Sequence, residues 1–591
     1  MKISIWLGVC IAFCAGVVDG ASNEYQMANG PLKTRWARNV SPRNVWPEYP
    51  RPQMVRKKWL NLNGLWDYTI LSTNQAAPTS YTGKILVPFP IESALSGVMG
   101  KLDEKSHLVY HRSFELPGSW NGERILLHFG ACDWATTVFV NDIPLTTHFG
   151  GYDPFTYEIT SALKPGRTQE LRVDVYDPTE GGQARGKQVR QPNGIWYTST
   201  SGIWQTVWVE PVPVSSIQDL VLTPDIDAKT LRITTQVRGP REHEMVDAVA
   251  YDGSHEAGHV TGPAGAQLQI PIANPKLWSP DHPFLYDLKV MLREGRETLD
   301  TVRSYFGMRK ISLGKDSKGN MHPMLNGQAI FQIGTLDQGF WPDGIYTPPT
   351  DAAMRYDLEV TKKLGFNMVR KHVKVEPDRW YYDCDKLGLV VWQDMPGAYL
   401  GNRTEADKKW FEHELRRMVA THYNHPCIIQ WVLFNEGWGQ FDTVRLTGVL
   451  KQIDPTRLVD DASGWTDRKV GDIVDKHHYP APVKPELETN RASVQGEFGG
   501  LGLFVDGHTW AKKSWGYQGM ADGKALTARY VELMNDVLNL ETNAGLTAAV
   551  YTQTTDVETE CNGLMTYDRE LIKPDVAAVS AANRKLQSSS P

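Results

Sequence analysis

Between Trp59 and about Val212 the apolar residues fall in short β-branched or alternating runs, "LNGLWDYTI", "RILLHFG", "ATTVFVND", "ELRVDVYD" and "TVWVEPV", separated by turn residues. Successive side chains on a strand point to opposite faces, so this spacing predicts half-buried strands, and their regular recurrence predicts a β-sandwich over residues 59–212. A second β-rich block, 213–311, carries "LRITTQVRG", "MVDAVAYD" and "LYDLKVML" and has the length of one immunoglobulin-like sandwich. Residues 21–58 are rich in Pro and Arg and read as an extended lead-in.

After "YFGMRKISL" the rhythm changes. Strand-like runs begin at 329 ("AIFQIGTLDQ"), 367 ("NMVRKHV"), 390 ("VVWQDMP"), 427 ("CIIQWVLFNE"), 458 ("LVDDAS"), 473 ("IVDKHHY"), 492 ("ASVQGEFG") and 548 ("AAVYTQTTD"). Amphipathic runs such as "TDAAMRYDLEVTKKLG" and "TEADKKWFEHELRRMVATHY" lie between them. The first opens on Thr350, a good N-cap, and closes on Gly365, a good C-cap. Eight strand-led units predict a (β/α)8 barrel over 312–591. The links after the fifth and sixth strands are short, so helices there are expected to be rudimentary. "IKPDVAAVSAANRKLQ" reads as the closing helix.

Composition narrows the partners. The chain is 41% apolar and 22% charged, with a net charge of −6. No basic excess exists for nucleic acid or an anionic membrane surface. Twenty Trp and 23 Tyr supply flat faces of the kind that stack on sugars, although Trp also fills sandwich cores. Residues 1–20 read as a secretory signal, with Lys2 at the positive end and Ile5 to Val18 as an apolar part too short to span a bilayer. That places the mature protein outside the cytoplasm, secreted or periplasmic. Phe13 before Cys14 does not fit a lipid-attachment signal. The four remaining cysteines, Cys132, Cys384, Cys427 and Cys561, match no disulfide framework or zinc site and read as buried free thiols.

In a barrel of this kind, the C-terminal ends of the strands line the active site. Two strands end in glutamate: Glu436 on the fourth and Glu497 on the seventh, from opposite sides of the mouth. Glycoside hydrolysis needs such a pair, one carboxyl to protonate the leaving oxygen and the other to attack the anomeric carbon or activate water. Asn435 precedes the first. Its amide can donate to the sugar 2-hydroxyl as charge develops on the ring, stabilising the transition state more than the ground state. No metal and no cofactor is required for this chemistry. Taken alone, a glutamate after an apolar strand is usually a surface or ion-paired residue.

The motifs in order resemble glycoside hydrolase family 2, the group of β-galactosidases, β-glucuronidases and β-mannosidases. "LNGLWDY", "VPFPIES", "YHRSFELP" and "SGIWQTVWVEPV" carry the resemblance in the first domain. "LNGQAIF", "LGFNMVRKH", "FNEG" and "GEFGG" carry it in the barrel. The resemblance implies a jelly-roll, sugar-binding-like first domain with a structural role. It implies Glu436 as acid/base and Glu497 as nucleophile, with net retention. It further implies that Arg370 orients the nucleophile, that His372 contacts sugar and that Tyr479 hydrogen-bonds the nucleophile. The remaining strand ends add Asp394, His478, Asp337 and Gln553 as substrate contacts, and Trp341 and Trp438 as stacking platforms. For each, the competing expectation is rim packing or an ion pair. Lys371 and Lys374 stand near the second strand, where either could meet a substrate carboxylate.

The expected protein is a secreted, exo-acting, retaining β-glycosidase on oligo- or polysaccharide fragments, with β-galactoside or β-glucuronide ahead of β-mannoside or α-L-arabinoside. An endo-acting enzyme would show an open cleft. A non-catalytic carbohydrate-binding protein on an inactive barrel would have lost one carboxyl, and both are present. Oligomeric state is not legible.

Overall fold

The alternating runs form strands. In the computed structural model, which describes residues 25–75, 77–399 and 403–588, Thr168–Tyr176 buries every second residue, from Gln169 through Leu171 and Val173 to Val175. Leu171, Val173 and Val175 meet Trp66, Tyr110, Phe129 and Val138 in the core of the first sandwich. One of its sheets runs in the order Leu60–Asn61, Val207–Val212, Arg124–Phe129, Phe155–Glu158, and a larger antiparallel sheet packs against it. The next unit places a three-stranded sheet on a four-stranded one around Ile233, Val246, Leu288, Val290 and Phe306, the strand count of an immunoglobulin-type sandwich. The candidate secretory signal lies outside the described residues. Among the described residues no helix is long and apolar enough to cross a membrane.

Among its described residues the lead-in forms no ladder strand, and it ties the units together. Thr34 donates to Asp343 Oδ2 through both its backbone N–H (2.8 Å) and its hydroxyl (2.7 Å). Trp46 Nε1 donates to Pro348 O, and Arg56 pairs with Asp300 of the second sandwich.

The barrel strands are β1 (Gln332–Asp337), β2 (Met368–Lys371), β3 (Val390–Asp394), β4 (Ile428–Val432), β5 (Leu458–Asp460), β6 (Ile473–His477), β7 (Ala492–Gly499) and β8 (Ala548–Thr552). They form one eight-stranded parallel sheet in the order β5-β4-β3-β2-β1-β8-β7-β6. Between β5 and β6, Asp472 N donates to Val459 O at 2.7 Å. The helices are α1 (Asp351–Lys363), α2 (Asp378–Leu387), α3 (Glu405–His422), α4 (Thr443–Ile453), α5 (Gly523–Ala544) and α6 (Val576–Ser588). None follows β5 or β6, in line with the short links there. The Thr350 hydroxyl accepts from Ala353 N and caps α1. Barrel strands are buried on both faces, which is why they read as unbroken apolar runs rather than alternating ones. Among the described residues, Cys132, Cys384, Cys427 and Cys561 are buried and free.

Candidate active site

β4 ends at Val432, two residues earlier than the apolar run suggests, and the chain then bends over the mouth. Asn435 bridges to Ser463, and Glu436 N donates to Ser463 O at 2.8 Å. Glu436 sits at φ +56°, a left-handed conformation that costs a non-glycine residue on the order of 1–3 kcal/mol and concentrates at functional sites. The flanking glycines make the bend possible. Gly437 and Gly439 also have positive φ. A Cβ at Gly437 would lie 2.3 Å from Thr466 Oγ1, and one at Gly439 2.1 Å from Ala398 O. Across the mouth, the β7–β8 ladder shifts register between Gln495 and Phe498, a local irregularity that turns Glu497 toward Glu436.

One carboxylate oxygen from Glu436, one from Glu497 and a ring nitrogen of His477 lie within 4.8 Å of one another. These are metal-ligating residue types, but each is already held by hydrogen bonds. His477 Nδ1 meets Glu436 Oε1 at 2.9 Å, Tyr479 donates to Glu497 Oε2 at 2.5 Å, and Arg370 donates to Glu497 Oε1 at 3.3 Å. Burial alone would raise the Glu497 carboxyl. The charges of His477, His372 and Arg370, with the Tyr479 hydroxyl, outweigh it and hold the group at about 2. Arg370 is fixed by Asp394 through Nε (3.1 Å) and one terminal nitrogen (2.9 Å). That terminal nitrogen also donates to Asn435 Oδ1 at 2.8 Å, which orients the amide and leaves its NH2 group as a donor. His372 Nδ1 stands 2.9 Å from Asp394 Oδ2 and 4.0 Å from Glu497.

The family model described as Glycosyl hydrolases family 2 matches residues 215–309, and the one described as Glycosyl hydrolases family 2, TIM barrel domain, matches residues 350–495. Both matched regions are thus similar to glycosyl hydrolases family 2. A β-galactosidase of Thermoanaerobacter pseudethanolicus is 27% identical over 59% of this chain and 47% of its own length. A β-glucuronidase of Bacteroides fragilis is 26% identical over 63% of the chain and 56% of its own. The chain thus spans about half the length of these curated relatives. The solved β-D-glucuronidase of Dictyoglomus thermophilum superposes with a TM-score of 0.73 over 92% of this chain and 99% of that one, at 18% identity, a likeness of fold.

Within this barrel, Glu436, Glu497, Asn435, Arg370, His372, Asp394 and Tyr479 come together at the mouth. Other expectations need correction. His478 is exposed and turned outward, its Nδ1 2.7 Å from Ala481 O; His477 is the histidine that enters the site. Trp341 is 2% exposed, edge-on to Trp36 and 4.0 Å from the Arg569 guanidinium, so it is packing and not a platform. Asp337 is bound by Lys371 Nζ (2.7 Å) and Gly339 N (2.9 Å). Gln553 is tied between Gln338 and Asn562. Asp394 spends its oxygens on Arg370 and His372, so it positions those groups. Lys371 and Lys374 are pinned by Glu376, with Lys374 also on two backbone carbonyls, and neither is free for a substrate carboxylate. Trp438 is 44% exposed at the rim and remains available as a platform.

A loop of the first sandwich, residues 183–198, reaches into the barrel mouth. Arg185 N and Gly186 N donate to Gly397 O, Thr198 N to Glu558 Oε1, and the Tyr197 hydroxyl to Glu560. Trp196 packs 4.9 Å from Tyr399 and 5.6 Å from Trp438. Lys187 is 8% exposed, and among the described residues its ammonium makes no hydrogen bond or ion pair. It lies 5.4 Å from the Trp196 ring, and its charge acts on His372 and Glu560. The mixed basic and aromatic text "GKQVRQPNGIWY" was the available signal. Nothing local says that this loop faces the barrel.

Proposed function

We propose that the protein is a retaining exo-β-glycosidase. The observation that carries this is the approach of the Glu436 and Glu497 carboxylates to within 4.8 Å across the mouth. A retaining pair stands about 5–5.5 Å apart, whereas an inverting pair needs roughly 6.5–9.5 Å to admit water between carboxyl and sugar. Glu497, held ionised, attacks the anomeric carbon while Glu436 protonates the leaving oxygen. Glu436 then deprotonates the water that releases the sugar from Glu497. The Asn435 NH2 group is placed to donate to the 2-hydroxyl. Exo action is supported by the sandwich loop, whose Trp196 with Tyr399 and Trp438 narrows one side of the mouth. The relatives named β-galactosidase and β-glucuronidase agree with this class. The N-terminal segment supports action outside the cytoplasm.

Lys187 supports an acidic terminal sugar. A nearly buried ammonium without a carboxylate partner is costly unless a ligand supplies the anion. A β-uronide would place its carboxylate there.

Purified protein screened on nitrophenyl glycosides, with glucuronide, galacturonide, galactoside, mannoside and arabinoside in the panel, is expected to release a uronic acid. The first-formed anomer, followed by NMR, should keep the β configuration; an α anomer would overturn the mechanism. Glu436→Gln should lose most activity on poor leaving groups and retain more on activated aryl glycosides. Lys187→Met is expected to raise KM for the uronide about 10- to 100-fold, the worth of a charge-assisted hydrogen bond, and to leave neutral glycosides unaffected. Equal loss on both substrate types would remove Lys187 from specificity.

A further inference from the structure

One buried group at the mouth, so far described only as a charge beside Glu497, also touches Glu436. His477 ends β6 with its side chain fully enclosed. Its Nδ1 lies 2.9 Å from Glu436 Oε1 and 3.6 Å from Glu497 Oε2. Its Nε2 lies 2.7 Å from Ser463 Oγ, and Ser463 Oγ donates to Asp475 Oδ2 at 2.6 Å. A hydroxyl has one proton. With that proton directed to Asp475, Ser463 accepts from the ring, so Nε2 carries a hydrogen. Arg370 stands 3.3 Å from Nε2, but the same nitrogen has Gly496 O (3.2 Å) and Glu497 Oε1 (3.3 Å) as acceptors. The short contact between Nδ1 and Oε1 then needs a second proton, and either atom can own it.

We propose that Glu436 and His477 hold the catalytic proton in common, with Ser463 and Asp475 fixing the imidazole so that Nδ1 faces Glu436 Oε1. This deepens the glycosidase reading and rests on it. In the first half-reaction the C1–O bond to the leaving group breaks as the bond from Glu497 to C1 forms. The proton passes from the pair, through a Glu436 oxygen, to the leaving oxygen. In the second, water oxygen bonds to C1, the Glu497 ester breaks, and the water proton refills the pair. Protons and electron pairs balance without another reactant.

The charges around the ring support this. Burial favours the neutral imidazole. Glu497 from β7, Glu436 beyond β4 and Asp475 on β6 favour the cation, and they prevail over Arg370 from β2, so His477 titrates above its ordinary range. Asp460 on β5 backs Asp475; burial raises Asp475, and burial with the charges of Asp475 and Asp461 raises Asp460. Coupled groups give up protons as a pair.

Two measurements test this. NMR titration of labelled histidine in the resting full chain reads the pair without substrate. His477 is expected to titrate above 6.5 and to fall by about one unit or more in Glu436→Gln, the loss of one close charge partner. Titration below 6.5, or indifference to Glu436→Gln, overturns the proposal. Kinetics supply the other reading. On a poor leaving group, His477→Gln should move the basic limb of kcat/KM down by about one unit or more while a dinitrophenyl glycoside is cut within about tenfold of the wild-type rate. A lower rate with an unmoved limb would make His477 merely structural and also overturn it. Ser463→Ala, which keeps both partners and frees the ring, should shift the limb in the same direction and covers the case in which His477→Gln does not fold. If no glycoside is cut while the histidine titration behaves as expected, the reaction assignment fails and the shared proton stands.

Discussion

Arg370 binds the whole mouth together at the scale of single side chains. It donates to Asp394, Asn435, Gly496 O and Glu497 from full burial. Such a guanidinium is stable only because these four neighbours accept from it. Glu497 benefits in turn. Its folded value near 2 lies below the ordinary 4.5, so it contributes stability that is fully present above about pH 4.5 and is lost as pH falls toward 2. Acid unfolding of wild type and Glu497→Gln should therefore differ at neutral pH and converge near pH 2. A constant difference down to pH 2 would show that Glu497 is not held ionised by its neighbours. Glu436, Asn435, Glu497, Arg370 and Tyr479 were legible because each stands at or just beyond a strand end. That His477, and not the adjacent His478, enters the site was not. β6 is buried on both faces, so Val474 and Asp475 show no contrast from which to read which parity points inward.

At the scale of elements, the eight barrel strands and the Thr350 cap follow from period and cap chemistry. The 183–198 loop does not, because the contacts that seat it on the barrel are with distant chain. Gly186 marks where it meets the barrel. It sits at φ +58°, and a Cβ there would lie 2.3 Å from Val373 O. Gly186→Ala should push the loop off the mouth at a cost of about 1–3 kcal/mol. That predicts kcat/KM on the preferred glycoside reduced about tenfold or more, with the global unfolding midpoint little changed. Full activity in this variant would show that the loop does not shape the pocket. Gly365 shows the opposite case, in which the role was readable from sequence. It follows α1 at φ +82°, the left-handed step that closes a helix.

The whole molecule is held by contacts that no single unit can satisfy. Arg309, between the second sandwich and the barrel, donates to the carbonyls of Pro426, Thr456 and Ile428 at the entry to β4 and nearby. Trp278 Nε1 donates to Asp385 O at the end of α2, and Arg35 of the lead-in reaches Arg569 O. Residues 312–591 alone would expose apolar surface and leave these acceptors to water. Expressed as a fragment, they are expected to be poorly soluble or to lack the near-ultraviolet circular dichroism of a packed barrel. A soluble, fully active fragment would contradict the role given to both the second sandwich and the loop.

That loop separates two properties usually welded together. The acids and their proton are mounted on the cylinder, while part of the wall that a sugar must pass is lent by a neighbouring sheet. Taste and bite can then change independently: a dozen or so residues exchanged in that loop would retune which glycoside is admitted and leave the cutting machinery untouched.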